Sequence, residues 1–240
     1  MARSPEVLPG RREVRATIES MAVSRESLAG LTLAEFSERL ASADPVPGGG
    51  SASAVAGSIA AGLVAMVARL SLDRAKYEPY RATNERALET AEAARTKLLR
   101  LADDDARAYG GFSVARKMPR DTPELEEARN RATEVAARDA SEVPLAVARE
   151  CAGLLEVIAT LAGRSNLNAA SDLEVAGRLS AAAAHGAAAN VMINLPMVGD
   201  ERYAGGTKVE LNELLRDVDR TLARVAQYVG GGTLRAPEPS

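Results

Sequence analysis

The sequence predicts an all-α protein, an up-and-down bundle of long helices joined by short connections. No stretch alternates apolar and polar residues between turn signals, which is the pattern of a strand. Three capping boxes, at residues 32–35, 171–174 and 207–210, mark helix starts. The long segments between such signals carry apolar residues at spacings of three and four, as bundle helices do.

The composition of the 240 residues predicts one helical domain between two irregular ends. Residues 1–29 contain prolines, glycine and several arginines without sustained periodicity, so we expect a mobile extension with some helical turns near residues 11–21. Residues 30–229 are expected to form the helical domain, which is long enough to bury a substantial core. Residues 230–240 begin with glycines and contain two prolines, so we expect a disordered tail.

The expected helices lie between caps, prolines and glycines, and cover residues 32–43, 52–72, 80–117, 123–161, 171–194 and 207–228. Thr122 caps the fourth helix ahead of Pro123, and Pro144 is expected to interrupt or kink it. The segments 163–168 and 200–206 are expected to be loops.

A glycine-rich loop at residues 44–51 precedes an uncharged run at 52–68, and the chain is organised around this pair. Pro47 prevents a helix through itself, and three glycines follow it: Gly48, Gly49 and Gly50. Ser51 is a suitable N-cap for the run, which must be buried because it is apolar or small on every side. Unpaired N–H groups at the positive end of such a helix can bind a carboxylate. The alternative is a tight turn with no ligand.

Charge and composition exclude several classes of partner. The net charge is −3, only 3% of residues are aromatic and Trp is absent, so no nucleic-acid partner is expected. A single histidine, His185, excludes the usual His-rich zinc sites, and it excludes an ordinary Ser-His-Asp triad unless His185 itself serves.

The expected location is the cytoplasm. The single Cys151 suits a reducing compartment, and no apolar signal core is found near Met1. The run at 52–68 is shorter than the roughly 20 residues of a membrane span and is diluted by serine and glycine, so no membrane partner is expected. Its small residues suit a close seam within the bundle or between subunits.

The most informative polar residue lies in the expected helix 80–117. Asp105 occupies a position in the apolar stripe, whereas Asp103 and Asp104 point away from it toward solvent. Burial raises the pKa of a carboxyl group and tunes it for proton transfer near neutral pH. Tyr109, one turn further on, could hydrogen-bond to this carboxyl. The alternative is a structural pairing with an arginine from a neighbouring helix.

Two asparagines lie on an otherwise apolar face of the expected helix 171–194. Asn190 and Asn194 are one turn apart, and Asn166 and Asn168 lie in the preceding loop. Amides on an inward face suit a ligand that presents both donors and acceptors, such as a pteridine ring. The alternative is capping and loop chemistry, which fits Asn168 best.

Lys76 lies beside Tyr77 in the break after the buried helix. Its ammonium group could pair with a ligand carboxylate or polarise a leaving group, although a plain surface lysine is the alternative. His185 falls on a different face from the asparagines and is expected to be structural.

Six features in order resemble the cyclodeaminase/cyclohydrolase family, which comprises the C-terminal domain of formimidoyltransferase-cyclodeaminase and the stand-alone bacterial methenyltetrahydrofolate cyclohydrolases. They lie between residue 31 and about residue 228, at 45–51, 76–77, 104–109, 143–146, 166–168 with 171–172, and 190–191 with 194. The resemblance implies a helical bundle that forms homodimers. It also implies a tetrahydrofolate derivative as substrate, no further cofactor and no metal.

Carried over residue by residue, the resemblance implies Asp105 as the catalytic residue, which Lys76 would assist. The implied substrate-binding positions are Gly48, Gly49, Gly50, Ser51, Tyr77, Tyr109, Asn166, Asn168, Asp172, Asn190 and Asn194.

Two activities fit the resemblance. We expect hydrolysis of 5,10-methenyltetrahydrofolate to 10-formyltetrahydrofolate, with Asp105 as general acid/base, because no formimidoyltransferase segment precedes the bundle in this sequence. The alternative is a formimidoyltetrahydrofolate cyclodeaminase that releases ammonia and forms the methenyl bridge. A second alternative is a catalytically silent bundle that binds folate or a partner protein. Asp105 argues against it, because a silent relative has no need for a carboxyl group in the core.

Overall fold

The computed structural model describes residues 27–238, and the predicted all-α class is confirmed, since these residues contain no strand. The α-helices are α1 Leu33–Leu40, α2 Gly49–Leu72, α3 Arg81–Arg116, α4 Pro123–Leu161, α5 Ala170–Asn194 and α6 Glu201–Gly230. Short 3-10 helices cover Leu28–Gly30, Ala75–Tyr80, Leu167–Ala169 and Leu195–Met197. Of the expected mobile extension at 1–29, all but the last three residues lie outside the described part of the chain, and so do its expected turns.

Helices α2 to α5 form an up-and-down four-helix bundle. α2 packs between α3 and α5, and α4 lies diagonally across from α2 and completes the square. α6 packs onto α4 and α5, so it covers the side of the bundle away from α2. Successive helices run antiparallel, which places the connections before α2, after α3 and after α5 at one end and the others at the opposite end.

Small residues let the helices of this bundle approach closely, as the run at 52–68 predicts. A Cβ on Gly57 of α2 would lie 2.7 Å from Sγ of Cys151 on α4. A Cβ on Gly186 of α5 would lie 2.5 Å from Oγ of Ser53. By length and composition α2 could cross a membrane, but half of its most apolar window is buried inside this bundle, as in the core helix of a soluble protein.

Two of the three capping boxes do not mark helix starts, because the helix in each case begins earlier. Ser171 lies within the first turn of α5. α6 begins where the carboxylate of Asp200 accepts the N–H of Tyr203, so Thr207 is buried inside the helix. The glycines at 205–206 are expected to cost about 1 kcal/mol each relative to alanine, an amount that the earlier cap and the packing of α6 can offset.

Two other local signals act as predicted. Thr32 and Glu35 form a complete capping box at the start of α1. Thr122 caps α4. The expected interruption at Pro144 is wrong, because α4 continues through this residue as one helix.

Residues 231–238 lie against the bundle, whereas the sequence predicts a disordered tail from residue 230. The N–H of Arg235 donates to the carbonyl of Gly163 over 2.7 Å, and the hydroxyl of Tyr80 donates to the carbonyl of Arg235 over 2.8 Å. These contacts are irregular and non-local, so no periodic signal in the sequence announces them.

Candidate active site

The carboxylate of Asp105 reaches from α3 to the first turn of α2. The hydroxyl of Ser51 donates to its Oδ2 over 2.8 Å and also lies 3.1 Å from the carbonyl of Ala102. The backbone N–H of Ser51 bonds to the same carboxylate. A Cβ on Gly50 would lie 2.1 Å from Oδ1, so only glycine permits this approach.

Burial raises the pKa of Asp105 above its ordinary value of 3.8, and the two hydrogen bonds from Ser51 partly oppose that rise. No arginine among the described residues pairs with Asp105, so the structural ion pair considered from the sequence is not formed there. A partly desolvated carboxylate with two fixed donors is a stronger base than an exposed one. It is also held in one orientation.

Ser51 has a different place from the one predicted for it. α2 begins at Gly49 with Gly48 as N-cap, and Ser51 is the third helical residue rather than the cap. The anion at this helix N-terminus is the protein's own carboxylate, that of Asp105, which already accepts the N–H of Ser51. The glycine-rich loop therefore brings two helices together in addition to turning the chain.

The polar neighbours of Asp105 on α3 have other partners. Asp104 pairs with Arg107 at the surface. The prediction that Asp103 is only solvated is wrong. The hydroxyl of Ser27 and the N–H of Leu28 each donate a hydrogen bond of 2.6 Å to its carboxylate. Tyr109 is 40% exposed, and no hydrogen bond joins it to Asp105 within the described chain.

Asn190 lies on α5, close to the N-terminus of α2. Its Nδ2 donates to the carbonyl of Gly186 over 2.9 Å and lies 3.2 Å from the position of a Cβ on Gly49. Asn194 likewise donates from Nδ2 to the carbonyl of Ala140 over 2.8 Å. No donor among residues 27–238 reaches the Oδ1 of either amide, so both oxygens can accept from a ligand.

These residues gather at one end of the bundle, and we call them the Asp105 cluster. They are Gly48, Gly49, Gly50, Ser51, Asp105, Tyr109, Asn190 and Asn194.

The remaining predicted site residues form a second group, which we call the Tyr77 cluster. They are Lys76, Tyr77, Asn166, Asn168 and Asp172.

Hydrogen bonds hold the centre of the Tyr77 cluster together, and most of them join residues far apart in the sequence. The hydroxyl of Tyr77 donates to Oδ1 of Asn166 over 3.4 Å and accepts the N–H of Leu167 over 3.1 Å. The N–H of Asn166 donates to Oγ of Ser71 over 2.8 Å, and Oδ1 of Asn166 accepts the N–H of Asn168 over 3.1 Å. Asn166 therefore fixes the shape of its loop, which is the capping role considered as its alternative.

Lys76 and Asp172 lie at the rim of this cluster. Nζ of Lys76 is 5.7 Å from the ring centroid of Tyr77, and its side chain is exposed. Asp172 lies in the first turn of α5 and is half-buried. Both side chains can meet a ligand from outside the bundle.

One protomer does not bring the two clusters together. Ser51 and Ser71 lie near opposite ends of α2, and the rise of 1.5 Å per residue separates them by roughly 30 Å. The site residues predicted from the sequence therefore do not form one site within an isolated chain. Two residues that help to shape the Asp105 end, Gly186 and Ala140, carry no signal in the sequence because they contribute only backbone carbonyls to these contacts.

The fold and the Asp105 cluster define an all-α bundle with a partly buried carboxyl group set between two helices. The sequence profile of the formiminotransferase-cyclodeaminase family matches residues 32–213, and the chain belongs to this family. The family predicted from the sequence is therefore confirmed.

Individual relatives agree with this assignment. The chain is 33% identical to methenyltetrahydrofolate cyclohydrolase of Methylorubrum extorquens over 82% of this chain and 95% of that protein. It is 34% identical to formimidoyltransferase-cyclodeaminase of Sus scrofa, covering 83% of this chain but only 37% of that longer protein. The crystal structure of formiminotetrahydrofolate cyclodeaminase from Thermotoga maritima superposes with a TM-score of 0.76 at 31% identity, over 84% of this chain and 97% of that one.

Proposed function

We propose that this chain is a folate one-carbon enzyme that hydrolyses 5,10-methenyltetrahydrofolate to 10-formyltetrahydrofolate. The observation that carries the proposal is Asp105, a partly buried carboxyl with a raised pKa and no ion-pair partner in the described chain. The relation to the cyclohydrolase of Methylorubrum extorquens, over 95% of that protein, supports the choice of reaction.

In the first step, Asp105 acts as general base. Water attacks the methenyl carbon between N5 and N10 of tetrahydrofolate and gives one proton to the carboxylate. The cationic bridge becomes a neutral tetrahedral carbon that bears a hydroxyl group. Proton transfer by a positioned side chain contributes about 10²–10⁴-fold to such a step.

In the second step, the same residue acts as general acid. The bond from this carbon to N5 breaks, and Asp105 returns its proton to N5. The hydroxyl group loses its own proton to solvent as the formyl C=O forms on N10. One water is consumed and one proton is released overall, and Asp105 ends ionised, ready for the next turnover.

Neighbouring groups bind and orient the substrate in this proposal. The Oδ1 atoms of Asn190 and Asn194 accept hydrogen bonds from N–H groups of the pterin. Ser51 holds the carboxylate of Asp105, and Gly50 leaves room for it. Lys76 belongs to the Tyr77 cluster, and it binds a substrate carboxylate or stabilises negative charge where a second subunit brings that cluster to the site. No metal and no further cofactor takes part.

The direct test is Asp105→Asn, with Asp104→Asn as the matched control on the adjacent, surface-paired carboxyl. With Asp105→Asn the methenyl chromophore should persist, and the helical circular dichroism should be unchanged. Asp104→Asn should keep near wild-type turnover. An Asp105→Asn enzyme that retains most of its activity would show that the role assigned to Asp105 is wrong.

The second candidate function is cyclodeaminase, and the Thermotoga maritima structure favours it specifically. In that reaction N10 attacks the formimino carbon on N5, and its proton passes through Asp105 to the imino nitrogen. A second proton, taken from solvent, lets this nitrogen leave as ammonia and gives the cationic methenyl bridge. Incubation with each substrate separates the two: the chromophore disappears in hydrolysis and appears from formiminotetrahydrofolate in deamination. Calorimetric binding of a folate without turnover of either substrate would identify a silent bundle.

We propose a homodimer as the working form, because it unites the two clusters. α2 presents an apolar face away from α4, on which Ile59, Met66 and Leu70 are 49%, 37% and 40% exposed. A two-fold axis between Ile59 and Gly62 would pack this face against its copy in the antiparallel sense. In each subunit, the end of α2 that carries Ser71 would then lie beside the end of the other subunit's α2 that carries Gly50. The Tyr77 cluster of one chain thereby meets the Asp105 cluster of its partner.

Subunit complementation tests this arrangement. A heterodimer of an Asp105→Asn chain and a Lys76→Ala chain, purified through two different tags, contains one intact composite site and should show about half of the wild-type activity. A heterodimer of Asp105→Asn with Asn190→Ala has both defects in the Asp105 cluster and should not be rescued. Without complementation in the first pair, the site belongs to a single chain.

The proposed location is the cytoplasm, without membrane or nucleic-acid partners. The apolar face of α2 is assigned to the second subunit in this proposal, and the net charge of −3 offers no attraction for polyanions.

A further inference from the structure

The last described residues of the chain cross the end of the bundle that carries the Tyr77 cluster. Residues 232–238 leave α6, pass over the loop that follows α4 and reach the start of α3, and we call them the C-terminal strap. They lie beyond residues 32–213, which the family profile matches. Their contacts are therefore a property of this chain that the family assignment does not cover.

Arg235 is the centre of the strap. Its Nη1 donates to the carbonyls of Ala159 and Ala162 over 3.0 Å and 2.9 Å, two acceptors that the last turn of α4 leaves without helical partners. Its guanidinium also lies 3.5 Å from the ring centroid of Tyr228 on α6. The side chain therefore ties the C-terminal ends of two helices together.

The backbone of the strap is bonded to the loop after α4. The N–H of Arg235 donates to the carbonyl of Gly163, which has a φ of +73°, and a Cβ on Gly163 would lie 2.8 Å from Cδ of Arg235. Nε of Arg164 donates to the carbonyl of Ala236 over 2.7 Å. Two consecutive loop residues are thus held just before Asn166.

The strap also holds the other side of the Tyr77 cluster. The hydroxyl of Tyr80, three residues after Tyr77, donates to the carbonyl of Arg235 over 2.8 Å. Thr83 donates to the carboxylate of Glu238 over 3.0 Å, and Arg86 pairs with the same group over 2.8 Å. The strap therefore bridges the two segments, at 75–80 and 163–168, whose side chains form the cluster.

We infer that the C-terminal strap positions the Tyr77 cluster, with Arg235 as the positioning residue. Arg235 fixes Gly163 and the neighbouring Ala236 fixes Arg164, so Asn166 is presented to the hydroxyl of Tyr77. The strap acts through these loops and is not expected to touch substrate. Its effect on catalysis rests on the proposed function, in which the cluster completes the site of the partner subunit.

The first experiment measures geometry without any substrate. Hydrogen–deuterium exchange is compared between the full chain, a chain truncated after Gly231, Arg235→Ala and the control Arg220→Ala, whose exposed side chain pairs with Asp217 in its own helix. The truncation and Arg235→Ala should speed exchange in peptides covering 163–168 and 75–80 by about tenfold or more. Peptides covering 100–110, at the Asp105 end, should keep wild-type rates in every variant.

The second experiment measures turnover and rescue. In the truncated chain KM should rise about tenfold, while kcat stays within a factor of three because the strap contacts no residue of the Asp105 cluster. A synthetic peptide of residues 232–238, added at millimolar concentration, should restore KM, and the same peptide carrying R235A should not. Simple loss of folded protein would lower the apparent kcat and would leave KM unchanged.

The outcomes separate the inference from the proposed function. If exchange at 163–168 is unchanged after truncation, the inference that the strap positions the Tyr77 cluster is wrong, whatever the activity. Faster exchange with an unchanged KM overturns its link to substrate binding. If the full chain turns over neither folate substrate, the proposed function fails, and the exchange data still decide whether the strap positions the cluster.

Discussion

Replacing Gly50 with alanine should lower kcat about a hundredfold in a protein that stays folded. The new Cβ would lie 2.1 Å from Oδ1 and 2.7 Å from Oδ2 of Asp105, whereas ordinary contact begins near 3.4 Å. The carboxylate must therefore retreat by about 1 Å, and a misplacement of that size costs on the order of 10²-fold in rate. The shift also stretches both hydrogen bonds from Ser51, which hold the carboxylate in place.

Gly153 provides the matched control for this substitution. It lies inside α4, about two turns before the end of that helix, and a Cβ there would meet no atom within 4 Å. Gly153→Ala should stabilise the protein by about 0.5–1 kcal/mol through helix propensity alone and leave kcat unchanged. That gain would raise Tm by about 2–4 °C or less in a domain of this size.

The assay follows the methenyl chromophore at saturating substrate and pairs it with a thermal melt of each variant. Gly50→Ala should lose kcat while its Tm stays within a few degrees of wild type. The reasoning fails if Gly50→Ala keeps kcat within threefold of wild type, because the position of Asp105 would then have no bearing on the rate.

Three further predictions concern the same pair of helices. Ser51→Ala removes a hydrogen bond that opposes the effect of burial, so the pKa of Asp105 should rise and the acid limb of the kcat/KM profile should move to higher pH. Ser58→Ala, which removes a bond of 3.1 Å between the same helices, should leave the profile in place. The raised pKa of Asp105 means that the folded state holds a proton that the unfolded chain has released. Stability should therefore fall as pH rises from about 3.8 through the raised pKa, and melts of Asp105→Asn should lack this loss. Gly57→Ala should destabilise by about 1–3 kcal/mol in urea titrations, because its Cβ would lie 2.7 Å from Sγ of Cys151.

Periodicity and proline positions predicted the long helices well. The third helix was expected at 80–117 and spans Arg81–Arg116, because Pro79 and Pro119 leave it little freedom at either end. The inward direction of Asp105 followed from the same spacing. Helix starts were harder, since Asp200 offers a cap seven residues ahead of the capping box at Thr207.

The contents of the site were harder to predict than the fold. Ser51 suited an N-cap, and nothing in its spacing showed that its hydroxyl would meet a carboxylate 54 residues away. The separation of the two clusters was, however, implicit in the sequence. In an antiparallel bundle successive connections lie at opposite ends, so the segments at 44–51 and 73–80 could not share one end.

Cys151 gives this bundle a convenient internal reporter. It is the only cysteine among the 240 residues, it is fully buried against Gly57, and burial raises its pKa to about 12. A thiol reagent can therefore reach it only when helices α2 and α4 come apart. The labelling rate of the native protein would therefore measure how often these helices separate, without an introduced probe.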